Sequence, residues 1–164
     1  IVGMFGALAL LIKTIRSLVV NKIEVIINKY LFKNDLMGMI WGMGMTFIVQ
    51  SSSVTTSLIV PLAGAGIVRL RQIFPYTMGA NIGTTGTALL AALATSNPVA
   101  VTAAFAHLVF NIFGIIIFYP LKMIPITLAE KTSEYVSQSK KNLVIFLALY
   151  STVYILPIVF IILF

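Results

Sequence analysis

The chain of 164 residues contains no cysteine, a single histidine and four acidic residues, none of which falls between Leu36 and Ala129. Without cysteine it forms no disulfide and offers no thiolate to a metal. Without a carboxylate over that stretch, the acid and base pairs of hydrolytic or redox catalysis have no candidates, and no enzyme is expected. His107 stands four residues before Asn111 on one face of an expected span. With no second His, Cys or carboxylate near it in sequence, a hydrogen-bonded interior position is expected for it in place of a metal site or proton relay.

Charge is scarce as well. Only 9% of the residues are charged against 60% hydrophobic, and a mean hydropathy of +1.08 lies outside what a soluble core-and-surface domain tolerates. This is the composition of an integral membrane protein or a piece of one. The net charge of +7 does not point to nucleic acid, because the basic residues sit in the connections between apolar segments, where the positive-inside rule puts them. A start without Met and a stop inside an apolar run at Phe164 read as a fragment, and no signal peptide is visible.

What fills the chain is apolar sequence cut by two polar knots. Gln50-Ser51-Ser52-Ser53-Val54-Thr55-Thr56-Ser57 carries seven hydrogen-bonding side chains in eight residues, and Gly79-Ala80-Asn81-Ile82-Gly83-Thr84-Thr85-Gly86-Thr87 interrupts the next apolar stretch. Neither knot holds a charge. An isolated Ser or Thr in lipid bonds back to a carbonyl one turn away or joins two helices. Seven polar residues together at a helix break point instead to a bound ligand. Gly79-x-x-x-Gly83 has a second reading as a close-packing step between helices. No Lys follows its glycines, so it is not a Walker loop.

Five units follow along the chain, and the expected fold class is an all-α integral membrane protein. Residues 1–12 are apolar but short of the roughly 20 a span needs, and read as the tail of a helix. Over residues 13–35, Ile15, Leu18, Val19, Ile23, Ile26, Ile27, Tyr30 and Leu31 recur at helical spacing with Lys13, Arg16, Asn21, Lys22, Asn28 and Lys29 between them. That is an amphipathic helix lying in the interface. Within residues 36–68, two apolar arms, 36–50 and 54–68, each reach only about 20 to 23 Å against roughly 30 Å of hydrocarbon. A re-entrant helical hairpin fits those lengths, its Ser-rich turn buried where non-helical backbone is sheltered by protein or an aqueous cavity. Residues 74–119 supply two spans: 74–94, an interrupted helix carrying the second knot, and 99–119. They are joined by the uncharged turn Thr95-Ser96-Asn97-Pro98. Residues 142–164 form the last span, bent at Pro157. Before it, residues 131–141 with Glu130 and Glu134 read as a solvated connection.

Charge parity agrees with the hairpin. If residues 36–68 return to their starting side, all eleven Lys and Arg residues lie on one face, the cytoplasmic one. A single crossing would divide them between the faces. Two full crossings keep the same parity, so charge requires an even number and length selects the hairpin.

The string Gln50-Ser51-Ser52-Ser53, then Pro61-Leu62-Ala63-Gly64-Ala65-Gly66, Arg69-Leu70-Arg71, Gly79-Ala80-Asn81-Ile82-Gly83-Thr84-Thr85 and His107-Leu108-Val109-Phe110-Asn111 closely resembles the type II sodium/phosphate cotransporter family. The resemblance runs from about Leu36 to Tyr119. It implies two inverted repeats, each with one Gln-Ser-Ser-Ser hairpin, and sodium and phosphate bound between them. This chain holds a single copy, more like the second repeat. The implied partners are therefore the missing repeat or a second copy of the chain, together with phosphate, sodium as coupling ion and the lipid bilayer, with no cofactor.

On that resemblance Gln50, Ser51, Ser52 and Ser53 are ligands to phosphate or sodium, with Thr84 and Thr85 next, Thr55 and Thr56 behind them, and Asn81 shaping the break. Sodium is expected through Gln50, Ser51, Ser53 and Thr84. Hydroxyls, amide nitrogens and backbone N–H groups at a half-helix start supply the donors a phosphate needs, while hydroxyl and carbonyl oxygens suit sodium. The implied function is sodium-dependent phosphate symport across the plasma or inner membrane, this chain supplying half of the site. The alternatives are a sodium-coupled carrier of another small oxyanion and a non-transporting assembly or regulatory subunit.

Overall fold

The computed structural model describes residues 6–7, 9–14 and 25–163, and every regular element among them is helical. Residues 15–24, the middle of the expected interfacial helix, lie outside the described residues. The end of that unit is a short π-helical turn, Ile27–Leu31. The helix does not continue to residue 35: Phe32 closes the turn by donating its N–H to the Ile27 carbonyl at 3.1 Å, and Asn34 opens the next helix.

Six longer helices follow: α1 Asp35–Val49, α2 Ser52–Gly64, α3 Leu70–Ala94, α4 Pro98–Phe118, α5 Met123–Gln138 and α6 Lys140–Leu163. The Asn34 side chain accepts the Met37 N–H at 2.8 Å and Asp35 sits in the first turn, the cap and the charge that a helix start favours. At about 1.5 Å per residue, α1 and α2 are roughly 22 and 20 Å long, each shorter than the roughly 30 Å of a hydrocarbon core. Between them Gln50 adopts a left-handed conformation, φ 56° and ψ 24°, and Ser51 caps α2. The other end of α2 closes on Gly66, φ 82°, with Ile67 N–H bonded to the Leu62 carbonyl and Gly66 N–H to that of Ala63. This is a Schellman turn, which needs a positive φ and so a glycine.

The second knot does not interrupt its helix, which corrects the expectation of a break at Asn81. From Leu70 to Ala94 the chain is one helix. The threonines are absorbed because their hydroxyls turn back onto the ladder: Thr84 onto Ala80, Thr85 onto Asn81 and Ile82, Thr87 onto Thr84. The expected turn after it is present, with Ser96 at φ 54°, Asn97 capping the Val99 and Ala100 amides, and Pro98 at the first helical position, where its missing N–H costs nothing. Of residues 131–141, expected as a solvated connection, 131–138 belong instead to the helix Met123–Gln138.

The described residues divide into two compact units, one ending at Lys122 and one beginning at Met123. In the first, α3 is the central element: α1, α2 and α4 all contact it, and α1 most extensively. The α1–α3 contact is built on small residues. A Cβ on Gly42 would run into the Tyr76 carbonyl, one on Gly79 into the Met39 carbonyl, and one on Gly83 would stand 2.7 Å from the Thr46 Cβ. The close-packing reading of Gly79-x-x-x-Gly83 thus holds, answered on α1 by Gly38, Gly42 and Thr46, the small-residue spacing that lets backbones approach in lipid. At the other end of the arms Phe32, Ile59, Ile67, Val68 and Tyr76 form the buried apolar cluster. In the second unit, α5 and α6 pack against each other. Two helices, Pro98–Phe118 and the bulk of α6, are long and apolar enough to cross a membrane.

Candidate functional site

The break between α1 and α2 is created by one residue. Gln50 leaves the helical region while its own N–H still bonds to the Thr46 carbonyl at 2.7 Å, so the chain turns without losing the last bond of α1. Ser51 then accepts the Val54 N–H at 3.3 Å. The N–H groups of Ser52 and Ser53, in the first turn of α2, have no intrahelical carbonyl to meet, and they point a partial positive charge at the break.

A cavity of about 590 Å³ opens beside Gln50, lined by Phe47, Gln50, Thr84, Thr87, Ala88, Leu90 and Ala91. It joins the two polar knots: Gln50 comes from the first and Thr84 from the second. The others of the candidate set do not line it. Ser51 and Ser52 are half-buried and Ser53 is exposed at the tip, Asn81 is exposed on α3, Thr56 is half-buried, and Thr55 and Thr85 are buried. Thr87 lines the cavity although it was not among the expected ligands; its place three residues after Thr84 on one helix face is the signal that would have found it.

Hydrogen bonding sorts the hydroxyls into two kinds. Thr56 donates to the Ser52 carbonyl at 2.7 Å and Ser57 to that of Ser53 at 2.6 Å, as Thr84, Thr85 and Thr87 do on α3. Having spent their protons, these oxygens can only accept, which suits a cation. Ser51 is the reverse: its oxygen accepts from Val54, so its O–H proton is available to an anion. Two further hydroxyls, Thr46 and Thr55, are fully buried with no protein partner. Tyr76 stands next to Thr55, its hydroxyl 3.4 Å from the Thr55 carbonyl.

Among the described residues, no titratable side chain lines the cavity. At the far end of α1, Lys122 pairs with Asp35 and the Tyr119 hydroxyl donates to the same carboxylate at 2.9 Å. The Lys122 hydrogen bond holds the Asp35 carboxyl below the usual carboxylate range, and Asp35 in turn raises Lys122. His107 is exposed on α4, not an interior residue as expected. Among the described residues no three His, Cys, Asp or Glu side chains gather to hold a metal.

Two helices long and apolar enough to span a membrane and an uncharged polar break between α1 and α2 fit an integral membrane protein whose cavity combines hydroxyl and amide groups with apolar side chains. Residues 4–128 match the model of the Na+/Pi-cotransporter family, and the chain belongs to that family. It is 36% identical to the bovine (Bos taurus) sodium-dependent phosphate transport protein 2B over 157 residues, 87% of this chain and 23% of that protein. Against the rat (Rattus norvegicus) proteins 2A and 2C, identity is 40% over 146 residues and 43% over 122, covering 78% and 71% of this chain and 23% and 20% of theirs. The chain thus spans less than a quarter of the length of these relatives. No solved structure matches it.

Proposed function

We propose that this chain supplies one half of the ion and substrate path of a sodium-dependent phosphate symporter. The observation that carries the reading is the shared cavity of Gln50 and Thr84, which draws its polar groups from two separate stretches of sequence and, among the described residues, no ionisable side chain. The relatives' names supply the ions: they are sodium-dependent phosphate transport proteins.

In this reading α1 and α2 are the arms of a re-entrant hairpin with Gln50 and Ser51 at its tip, the chain is one of two inverted repeats, and the basic connections are cytoplasmic. Phosphate meets the donors: the Gln50 amide nitrogen, the Ser51, Ser52 and Ser53 hydroxyls and the orphan amides that start α2. Sodium meets the acceptors: the Gln50 carbonyl, Thr84 and Thr85, with Thr56 on the hairpin and the unpartnered Thr55 hydroxyl near the tip. Asn81, exposed on α3 one turn before Thr84 and Thr85, faces the missing half. A cation placed beside the anion offsets part of the cost of moving phosphate out of water, which couples the two bindings directly. The other half of the ligands comes from the second repeat or a second copy.

The test is phosphate uptake into proteoliposomes by the intact protein under an imposed sodium gradient. Uptake should fall to background when choline replaces sodium. Uptake indifferent to that exchange overturns symport.

A further inference from the structure

Thr46 stands in the last turn of α1, outside the Ser-rich string and outside the lining of the cavity beside Gln50. It is fully buried, and its hydroxyl has no partner. The second knot closes over it: a Cβ on Gly83 would stand 2.7 Å from the Thr46 Cβ and 3.2 Å from its methyl carbon. Valine has the same shape and would fill this place without the cost of an unsatisfied buried hydroxyl. The oxygen therefore adds nothing to packing and is available to a ligand. Thr55 repeats the situation on the other arm, fully buried and unpartnered at the start of α2. The Gln50 N–H bonds to the Thr46 carbonyl at 2.7 Å and the Thr55 N–H to the Ser51 carbonyl at 3.0 Å, which sets each threonine one turn from the break. Phe32 before α1 and Ile67 and Val68 after α2 belong to one apolar cluster, so the two arms lie side by side with the break at one end. Thr46 and Thr55 accordingly occupy the same level on the two arms, and both arms pack on α3.

We propose that Thr46 and Thr55 share one occluded sodium ion, which makes Thr46 a further sodium ligand. The inference rests on the symport reading and deepens it by adding a residue on the α1 side of the break. The sign of the ligand follows from that side. The last carbonyls of α1 have no N–H to meet within the helix and carry the negative end of its dipole, and the C-terminal end of a broken helix is where neutral oxygens coordinate sodium in carriers built this way. Two hydroxyl oxygens beside such carbonyls form a set of hard, uncharged ligands that needs no carboxylate. A buried water would satisfy the same two hydroxyls, but its binding would not follow the sodium concentration.

The experiment follows the melting temperature of the intact protein in detergent as sodium chloride replaces choline chloride, without phosphate. A bound ion stabilises the folded state as its concentration passes Kd, so the wild type should show a sodium midpoint. Thr46→Val should melt higher than wild type in choline and move that midpoint up about tenfold or more, the loss of one oxygen contact to a charged ion. Thr55→Val should move the same midpoint. Thr46→Ser, which keeps the oxygen and loses the methyl, should keep the wild-type midpoint even where it melts lower, an outcome that a packing role does not produce. Uptake of labelled phosphate by the same preparations in proteoliposomes separates the two readings: wild-type uptake indifferent to sodium sinks the symport reading. Sodium-dependent uptake together with a Thr46→Val variant unaltered in sodium midpoint and in KM for sodium overturns the Thr46 assignment alone. A wild type whose melting does not respond to sodium overturns it as well.

Discussion

Gly42 on α1 and Tyr76 on α3 meet backbone to backbone: the place a Cβ would take on Gly42 is already held by the Tyr76 carbonyl oxygen. The neighbour is backbone, so it has no rotamer by which to give way. Because α3 also carries Thr84 and Thr87, this contact sets how far the second knot stands from the hairpin tip.

Gly42→Ala should therefore destabilise the protein by at least about 1 to 3 kcal/mol, the usual cost of overpacking a closely fitted contact. Gly44→Ala, two residues on with open space around it, is the matched control. It should be neutral or stabilising by up to about 1 kcal/mol from helix propensity alone. Thermal unfolding in detergent micelles reads both, and equal melting temperatures for the two variants would refute the close contact.

Gln50 combines a backbone role and a side-chain role that substitution can separate. Its left-handed φ of 56° costs a side-chain-bearing residue of the order of 1 kcal/mol, and a glycine almost nothing. Gln50→Gly should melt at the same temperature or higher, yet raise the KM for phosphate or sodium because the amide is gone. Gln50→Ala, which keeps the Cβ and its cost, should melt near the wild-type temperature while losing the same affinity as the glycine variant. A glycine variant with wild-type kinetics would leave Gln50 as a turn residue only.

The Asp35 and Lys122 pair makes a pH prediction whose sign follows from the two shifts. The Asp35 pKa is depressed, so its contribution is present above the ordinary value of 3.8 and is lost as pH falls through the lower folded value. That of Lys122 is raised, so its contribution is present below 10.5 and is lost as pH rises through the higher folded value. Both groups are about one-third exposed, and solvent screening limits the pair to less than about 1 kcal/mol. Asp35→Asn should lower the melting temperature by a small margin at neutral pH, and the difference from wild type should vanish below the carboxylate range. A difference that persists in acid would assign the effect to the first turn of α1 and not to the ion pair.

Much of this geometry is visible in the sequence, for reasons that differ by element. The arms were legible because 15 and 13 helical residues are a matter of counting apolar positions on either side of the Ser-rich string. The turn at residues 95–98 was legible because Asn97-Pro98 is a helix start in itself. The break expected at Asn81 failed because glycine and threonine propensities are weak, and the hydroxyls of Thr84, Thr85 and Thr87 satisfy themselves within the helix. The helix at 123–138 was hidden by its charges and its Pro125, which a first turn tolerates. The meeting of Gln50 with Thr84 and Thr87 is tertiary: it depends on the Gly42 and Gly79 contacts, and neither glycine announces its partner.

Thr55 offers the sharpest test of the ligand assignment, because its hydroxyl is fully buried and unpartnered. An unsatisfied buried hydroxyl costs about 1 to 3 kcal/mol. Thr55→Val, nearly the same shape without the oxygen, should therefore raise the melting temperature in sodium-free buffer. A bound ion stabilises the folded state in proportion to the logarithm of its concentration over Kd. If Thr55 gives sodium one of its oxygens, adding sodium should stabilise the wild type and close the gap, while the valine variant responds less. Phosphate uptake by that variant should show a raised KM for sodium. A melting advantage of the same size in sodium and in choline, with unaltered kinetics, would make Thr55 a packing residue and shift the sodium ligands to Gln50 and Thr84.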